Sequence, residues 1–210
     1  MSELVSARPT PLVLSHRGNM PGFVENTLGG FRAALAAGAD VIESDVRVSR
    51  DGVPFLIHDE TLERLAGDAR RIQDVDSAEL KALDLGAGEG APSLEDVLVA
   101  LPTARFNLDM KSPDAPAATA LVLSTHSAHQ RVMLTTFSGR NRRKMHRLMP
   151  EVASSISADQ YISIAIAVTL RLNFLVKYLL GPCQALQIPM GAYGLDTSSQ
   201  RFIRIAQARN

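Results

Sequence analysis

The sequence is poor in cysteine and in net charge, and both shortages exclude classes of protein. Cys183 is the only cysteine among the 210 residues, so neither an intrachain disulfide nor a cysteine-based zinc cluster can form. Lysine plus arginine equals aspartate plus glutamate at 22 each, which leaves no overall field to attract nucleic acid or an anionic surface. Any anion must therefore be bound by a local group of residues.

Long uninterrupted apolar runs are also absent. The longest apolar stretch, residues 161–180, contains Arg171, Asn173 and Lys177, and falls short of the ~18 uninterrupted residues typical of a transmembrane helix. We interpret the stretch as an outer helix of the fold, with contact to a membrane surface as the alternative. The N-terminus lacks the basic and long apolar regions of a secretory signal, so we expect a cytoplasmic protein.

Short apolar runs alternate with helical patterns along the chain, which predicts βαβ units and a parallel sheet. A helix begins near Thr27 and stops at Gly38, and Asp51-Gly52 marks a hairpin turn. With the hairpin counted as one unit, residues 1–210 form a single domain of six units, into which a loop-rich segment, 60–92, is inserted. The predicted strands are residues 12–15, 41–48, 53–57, 105–110, 132–137, 154–157 and 185–188.

Two architectures have such a sheet, the doubly wound open sheet and the barrel. The first strand is followed by Ser15-His16-Arg17-Gly18, which is not the glycine-rich loop of a dinucleotide-binding protein. Polar residues gather instead at the C-terminal ends of successive strands, where a barrel has its active site. The sequence therefore predicts an α/β fold, a TIM-type (β/α)8 barrel.

Acidic residues at these strand ends indicate a metal site. Glu43 and Asp45 are two residues apart, so their side chains share one face of a strand. Paired carboxylates repel each other unless a cation lies between them, and a hard divalent ion is the usual one. Asp109, on a later strand, could supply a third oxygen ligand.

Basic residues and histidines complete the pattern. Arg17 and Lys111 suit the oxygens of a phosphate group. His16 and His58 can give and take the protons that cleavage of a phosphate ester requires near neutral pH. Together with a divalent ion, these residues indicate metal-assisted phosphoryl chemistry.

The order of the motifs resembles a known family. His-Arg-Gly at 16–18, Glu-Asn-Thr at 25–27 and Gly-Ala-Asp at 38–40 are followed by Glu-x-Asp-Val at 43–46, Asp-Gly at 51–52 and His-Asp at 58–59. A later Asp-x-Lys occurs at 109–111. This series, over about residues 12–208, resembles the glycerophosphodiester phosphodiesterase family.

The resemblance implies a TIM barrel that cleaves glycerophosphodiesters into glycerol 3-phosphate and an alcohol. In the family, the 2-hydroxyl of the glycerol attacks phosphorus, and water then opens the cyclic phosphate. The matching residues would act as general acid and base (His16 and His58), as ligands of one Ca²⁺ or Mg²⁺ (Glu43, Asp45 and Asp109), and as phosphate-binding groups (Arg17 and Lys111). Glu25 and Asn26 would brace the site.

The sequence departs from the family's pattern in two ways. Position 109 is aspartate, where the family more often has glutamate. The family's Trp-Thr-x-Asn-like strand has no counterpart because the sequence has no tryptophan, so about the last two strands of a ~250-residue barrel are expected to be missing. An incomplete sheet of this kind would expose strand edges, and we expect self-association and weak activity.

Two other functions remain open. One is a lysophospholipase D-like or sphingolipid-type phosphodiesterase, which the apolar stretch 161–180 favours. The other is a catalytically dead phosphodiester-binding homologue. The basic segment 140–147 has no interleaved aromatic residues, so we interpret it as an exposed helix face and predict no nucleic-acid partner.

Overall fold

The structure, a computed structural model, describes residues 11–86, 88–188 and 196–207. Short 3₁₀ turns at Ile72–Asp74, His129–Arg131 and Asn173–Leu175 join some of its helices and strands. Along the chain the helices and strands are β1 (Leu14–His16), α1 (Leu28–Ala36), β2 (Val41–Val48), β3 (Pro54–Leu56), β4 (Thr61–Leu62), α2 (Glu63–Ala66), β5 (Asp68–Arg71), α3 (Ser77–Ala82), α4 (Leu94–Ala100), β6 (Phe106–Met110), α5 (Ala115–Thr125), β7 (Val132–Thr135), α6 (Gly139–Leu148), β8 (Ala153–Ser154), α7 (Ala158–Thr169), α8 (Val176–Leu180) and α9 (Gln200–Gln207).

The central sheet is parallel, and its strands lie in the order β1-β2-β6-β7-β8. A bridge between Ser155 and Ala185 continues the parallel pairing by one position. The spatial order of these strands follows the chain, as in a barrel, whereas a doubly wound sheet reverses its strand order part-way. The C-terminal ends of all the parallel strands therefore point to the same side of the molecule.

Helix α1 begins and ends where the sequence predicts. Thr27 adopts an extended conformation, and its hydroxyl accepts a hydrogen bond from the amide of Gly30 at 3.2 Å. Phe31 and Ala34 are fully buried against the sheet. Gly38, with φ 98°, turns the chain into β2.

The predicted hairpin is also confirmed. Gly52 has φ 87° at the turn, and β3 pairs antiparallel with the end of β2, with Val46 opposite Leu56. Beyond β3, the amide of Ile57 donates to the carbonyl of Asp45 at 2.9 Å. This bond places the next residue, His58, beside the C-terminal half of β2.

Segment 60–92 has more regular structure than the sequence indicates. It contains α2, the two-stranded sheet of β4 and β5, and α3. Leu62, Ile72 and Leu80 are fully buried in a small core that also includes Phe55 of β3 and Ile57. The segment is therefore packed onto the hairpin by apolar contacts.

The apolar stretch 161–180 does not form one continuous helix. Helix α7 ends at Thr169, Arg171 has φ 59°, and a 3₁₀ turn leads into α8. In the ranges given above, no helix is long and apolar enough to cross a membrane. The strand predicted at 154–157 is shorter and begins one residue earlier, as β8 (Ala153–Ser154). It cannot extend to residue 157 because Ser157 forms a capping box with Gln160 at the start of α7.

Candidate active site

A cavity of about 670 Å³ lies at the C-terminal ends of the parallel strands. Its walls come from β1, β2 and β6, from the segments that follow β3, β7 and β8, and from the start of α7. The sequence-predicted catalytic, metal-binding and phosphate-binding residues all line it: His16, Arg17, Glu43, Asp45, His58, Asp109 and Lys111.

Strand register explains why the acidic residues meet. Asp45 of β2 is paired with Asp109 of β6, and Glu43 is paired with Asn107. Because side chains alternate along a strand, all four of these residues project from the same face of the sheet. That face borders the cavity.

Burial and repulsion by neighbouring carboxylates raise the pKa of two of these carboxyl groups, Glu43 and Asp109. The pKa of Glu43 is raised to about 7, first by burial and then by the charges of Asp45 and Asp109. Burial also raises the pKa of Asp109, although Lys111 opposes the effect. The Nζ atom of Lys111 lies 2.5 Å from Asp109 and 3.1 Å from Asp45, so one ammonium group is shared by two buried carboxylates.

Arg17 is held in place by its unusual backbone and by two acidic partners. It has φ 56°, and its amide donates to the carbonyl of Glu43 at 2.9 Å. Its guanidinium group lies 3.2 Å from Glu25 and 3.3 Å from Asp45, the second contact being an ion pair without hydrogen-bond alignment. Arg17 therefore joins the loop before α1 to the acidic face of β2.

Asn26 lies behind the cavity, on the other face of β2. Asn26 is buried with φ 56°, and its backbone amide donates to the carbonyl of Arg17 at 2.8 Å. Its side-chain Oδ1 accepts from the hydroxyl of Ser44 at 2.7 Å. Ser44 lies between the two acidic residues of β2. Asn26 thus connects Arg17 to the strand that carries Glu43 and Asp45.

The two histidines have different surroundings. His58 places Nδ1 2.8 Å from Oδ1 of Asp59. Because an ionised carboxylate can only accept, this contact favours a proton on Nδ1, and the lone pair of the neutral ring then lies on Nε2. Burial alone would raise the pKa of Asp59, but His58 and Arg64 hold it below its usual value. His16 is 70% exposed, and its Nε2 lies 3.8 Å from Glu43.

The donor atoms around the acidic face suit a hard divalent cation. Asp45 Oδ2, Asp109 Oδ1 and Asn107 Oδ1 are buried without a hydrogen-bond partner, and unpaired oxygens are the ligands that Ca²⁺ and Mg²⁺ prefer. Within the described residues, however, no three acidic, histidine or cysteine side chains converge on one point. Lys111 lies between Asp45 and Asp109. The residue types fit a metal, whose binding would require the ammonium group to move.

Three site residues escaped the sequence analysis. Asn107 borders the cavity, and Arg47 Nε donates to the carbonyl of His58 at 2.8 Å. Both could have been found by extending the alternation of Glu43-x-Asp45 and of Asp109-x-Lys111 by one step. Arg64 of α2, which contacts Glu25 and Asp59, has no such signal because its position depends on how segment 60–92 folds.

Apolar and aromatic residues also line the cavity. Phe137, Ile156 and Tyr161 lie there, and the ring of Phe137 has its centroid 5.5 Å from Nζ of Lys111. The charged residues of the cavity therefore come from β1, β2, β6 and the segments that follow β1, β3 and β6, whereas its aromatic residues come from the segment after β7 and from α7.

The sequence profile of the glycerophosphoryl diester phosphodiesterase family matches residues 16–208. The chain belongs to this family. A Mycobacterium tuberculosis protein named "Probable glycerophosphodiester phosphodiesterase 2" is 38% identical over 157 residues, which cover 70% of this chain and 60% of that protein. The matched part of the chain thus spans less than two thirds of the length of that relative.

Solved structures of family members share the fold. A phosphodiesterase from Oleispira antarctica, determined in complex with the product sn-glycerol-3-phosphate, has a TM-score of 0.76 and 28% identity, covering 94% of this chain and 81% of its own. A glycerophosphodiester phosphodiesterase from Agrobacterium tumefaciens has a TM-score of 0.67 and 31% identity, covering 71% of this chain and 68% of its own. The predicted TIM-barrel class is confirmed.

Proposed function

We propose that the protein is a metal-dependent phosphodiesterase that hydrolyses glycerophosphodiesters to glycerol 3-phosphate and an alcohol. The observation that carries the proposal is the meeting of two histidines, three carboxylates and two cationic side chains in one cavity at the strand ends. The names of the relatives support it, as does the glycerol 3-phosphate bound by the Oleispira protein.

The basic side chains would bind the phosphate group of the substrate. Arg17 can present two parallel N–H groups to phosphoryl oxygens, and Lys111 can add a point charge. Glu43, Asp45 and Asp109 would hold one Mg²⁺ or Ca²⁺, which would help to neutralise charge that builds up on those oxygens. Lys111 would then turn from the carboxylates toward the phosphate.

The histidines would carry the protons. Nε2 of His58 has the lone pair to accept the proton of the glycerol 2-hydroxyl, whose oxygen forms the new bond to phosphorus. His16, in its protonated form, would donate to the alcohol oxygen as its bond to phosphorus breaks. Water then opens the cyclic phosphate, with the two proton transfers reversed. Asp59 fixes the tautomer of His58 that the first step requires.

Hydrolysis of glycerophosphocholine tests the proposal directly. We expect release of glycerol 3-phosphate in the presence of Mg²⁺ or Ca²⁺ and its loss after treatment with EDTA. Full turnover after exhaustive chelation would contradict the metal requirement. Binding of the substrate without turnover, under all metal conditions, would favour a catalytically dead homologue.

A lysophospholipid or sphingolipid head group is the second candidate substrate. The apolar and aromatic residues of the cavity include Tyr161 of α7. Ile162 and Ile166 of the same helix, and Leu170 directly after it, are exposed at a spacing of four residues, so they form one outward-facing row. An acyl chain, or a membrane surface that carries the lipid, could contact this row. Turnover of lysophosphatidylcholine or sphingosylphosphocholine, without turnover of glycerophosphocholine, would favour this candidate.

The cellular role remains a prediction. Glycerophosphodiester hydrolysis would place the protein in glycerol and lipid metabolism, and we retain a cytoplasmic location and self-association as expectations. Cell fractionation tests the first, and light scattering tests the second.

A further inference from the structure

Arg64 links two acidic residues that are far apart in sequence and that each contact a side chain lining the cavity. It lies on the one-turn helix α2 in segment 60–92. Its Nη2 is 2.5 Å from Oε1 of Glu25, and its Nε is 2.5 Å from Oδ2 of Asp59. One guanidinium group therefore joins the loop before α1 to the residue that follows His58.

Each of these two carboxylates also holds a side chain of the cavity. Oε1 of Glu25 accepts from Nη1 of Arg17 at 3.2 Å. Oδ1 of Asp59 pairs with Nδ1 of His58 at 2.8 Å. An unbroken series of contacts therefore joins Arg17 to His58 through Glu25, Arg64 and Asp59. A shift of Arg64 would change the positions of both Arg17 and His58.

The contacts at position 64 favour arginine over lysine. A guanidinium group is planar and always charged, and it donates in two directions from one rigid frame. A lysine at this position would present one compact ammonium group, without the fixed geometry by which Nε and Nη2 of Arg64 each reach a different carboxylate. Without Arg64, Glu25 would be restrained by Arg17 alone, and Oδ2 of Asp59 would lose its cation. Asp59 could then rotate away from His58.

Stability does not explain the position of Arg64. Its side chain is 50% exposed, and exposed ion pairs typically contribute only ~0–1 kcal/mol. Segment 60–92 is held by its own apolar core. Arg70 in the same segment bridges Asp68 and Glu79 at an almost equal exposure of 48%. The acidic partners of Arg64 differ from these two, because Glu25 and Asp59 contact Arg17 and His58, which line the cavity.

We propose that Arg64 is a positioning residue that sets both the phosphate-binding guanidinium of Arg17 and the Nδ1–H tautomer of His58. This role rests on the proposed phosphodiesterase function. Through Arg64, segment 60–92, which packs outside the parallel sheet, contributes to the candidate active site. Arg70 supplies a matched control, because it has the same residue type, segment, exposure and number of acidic partners.

Steady-state kinetics on glycerophosphocholine give the first test. We expect Arg64→Gln to lower kcat/KM by about 10–100-fold, the range typical when a group that orients a functional side chain is removed. Glu25→Gln should mainly raise KM through Arg17, Asp59→Asn should mainly lower kcat through His58, and Arg64→Gln should do both. Arg64→Lys should recover little of the loss, and Arg70→Gln should behave as wild type.

The tautomer of His58 gives a second test that does not depend on turnover. Nitrogen-15 chemical shifts of the imidazole, assigned by comparison with His58→Gln, should show one Nδ1–H form in wild type and Arg70→Gln. A mixture of both tautomers is expected in Arg64→Gln. If the wild type does not hydrolyse the diester, the proposed function fails and this comparison alone decides the role of Arg64. An unchanged tautomer together with kinetics equal to those of Arg70→Gln would overturn the proposal.

Discussion

Asp45 and Asp109 lie side by side on neighbouring parallel strands and share the ammonium group of Lys111. Their side chains are only 2% and 5% exposed, so water contributes little to neutralising their charge. In the proposed mechanism, Lys111 would contact these carboxylates in the protein without metal and the phosphate group in the substrate complex. A divalent ion bound to the carboxylates would release Lys111 for the substrate.

Replacement of Lys111 by methionine tests this exchange. With no cation between them, two buried carboxylates should cost about 3–5 kcal/mol of unfolding free energy, part of it relieved as Asp109 takes up a proton. We expect Lys111→Met to be strongly destabilised in EDTA and to gain more stability from Ca²⁺ or Mg²⁺ than wild type does. Urea unfolding with and without metal measures both effects. Lys177→Met, at an exposed position of α8, is the control.

Equal stability of wild type and Lys111→Met in EDTA would contradict the shared ion pair. A metal response that is no greater in the variant would show that the ion does not replace the ammonium group.

The raised pKa of Glu43 makes metal-free stability depend on pH. The folded protein holds this proton up to a pKa of about 7, whereas the unfolded chain releases it near 4.5, so stability should fall as pH rises between these values. The full difference corresponds to about 3 kcal/mol. Glu43→Gln should therefore be more stable than wild type in EDTA at pH 8 and similar to it at pH 4.

Urea unfolding at several pH values measures the effect of Glu43→Gln, with Glu95→Gln at an exposed position of α4 as the control. The same variant should lose metal-dependent turnover. A parallel pH dependence in wild type and Glu43→Gln would show that Glu43 is not the buried carboxyl responsible.

The histidine roles predict losses of similar size. His16→Ala and His58→Ala should each lower turnover by about 10²–10⁴-fold. The double variant should lose much less than the product of the two factors, because groups that act together are not additive. His126→Ala is the control, since His126 contacts Glu95 and does not border the cavity. Normal turnover in either single variant would remove that residue from the proposed mechanism.

Local patterns in the sequence predict most of the architecture. The helix start at Thr27 and the Asp51-Gly52 hairpin turn each depend on residues close in the chain, and both are present. The alternation of Glu43 and Asp45 places them on one strand face, and the meeting of strand ends in a parallel sheet brings the predicted catalytic and binding residues to one cavity.

Contacts that depend on tertiary geometry could not be predicted in this way. No spacing rule places Lys111 between Asp45 and Asp109, because its side chain is long enough to choose among several partners. The bridge from Arg64 to Glu25 requires segment 60–92 to fold over the loop before α1. The break at Arg171 depends on how α7 and α8 pack, which an apolar run alone does not reveal.

Alanine variants of two glycines distinguish the destabilisation caused by backbone strain from that caused by a packing clash next to the site. Gly18 follows Arg17 with φ 59°, and a Cβ added there would lie 2.4 Å from Cδ1 of the buried Phe31. Gly38 has φ 98°, and a Cβ there would meet nothing within 4 Å. In both alanine variants, the positive φ should lower the free energy of unfolding by ~1–2 kcal/mol.

In Gly18→Ala, overpacking should lower the free energy of unfolding by a further ~1–3 kcal/mol, since Phe31 lies in the main core and cannot move freely. The turn at Gly18 would shift, and with it the guanidinium group of Arg17, so the KM for glycerophosphocholine should rise. Gly38→Ala should leave KM unchanged because its turn leads into β2 from the opposite end of the strand. Urea unfolding and steady-state kinetics measure the two effects. Equal losses of stability in the two variants, or an unchanged KM in Gly18→Ala, would show that the contact between Gly18 and Phe31 does not fix the position of Arg17.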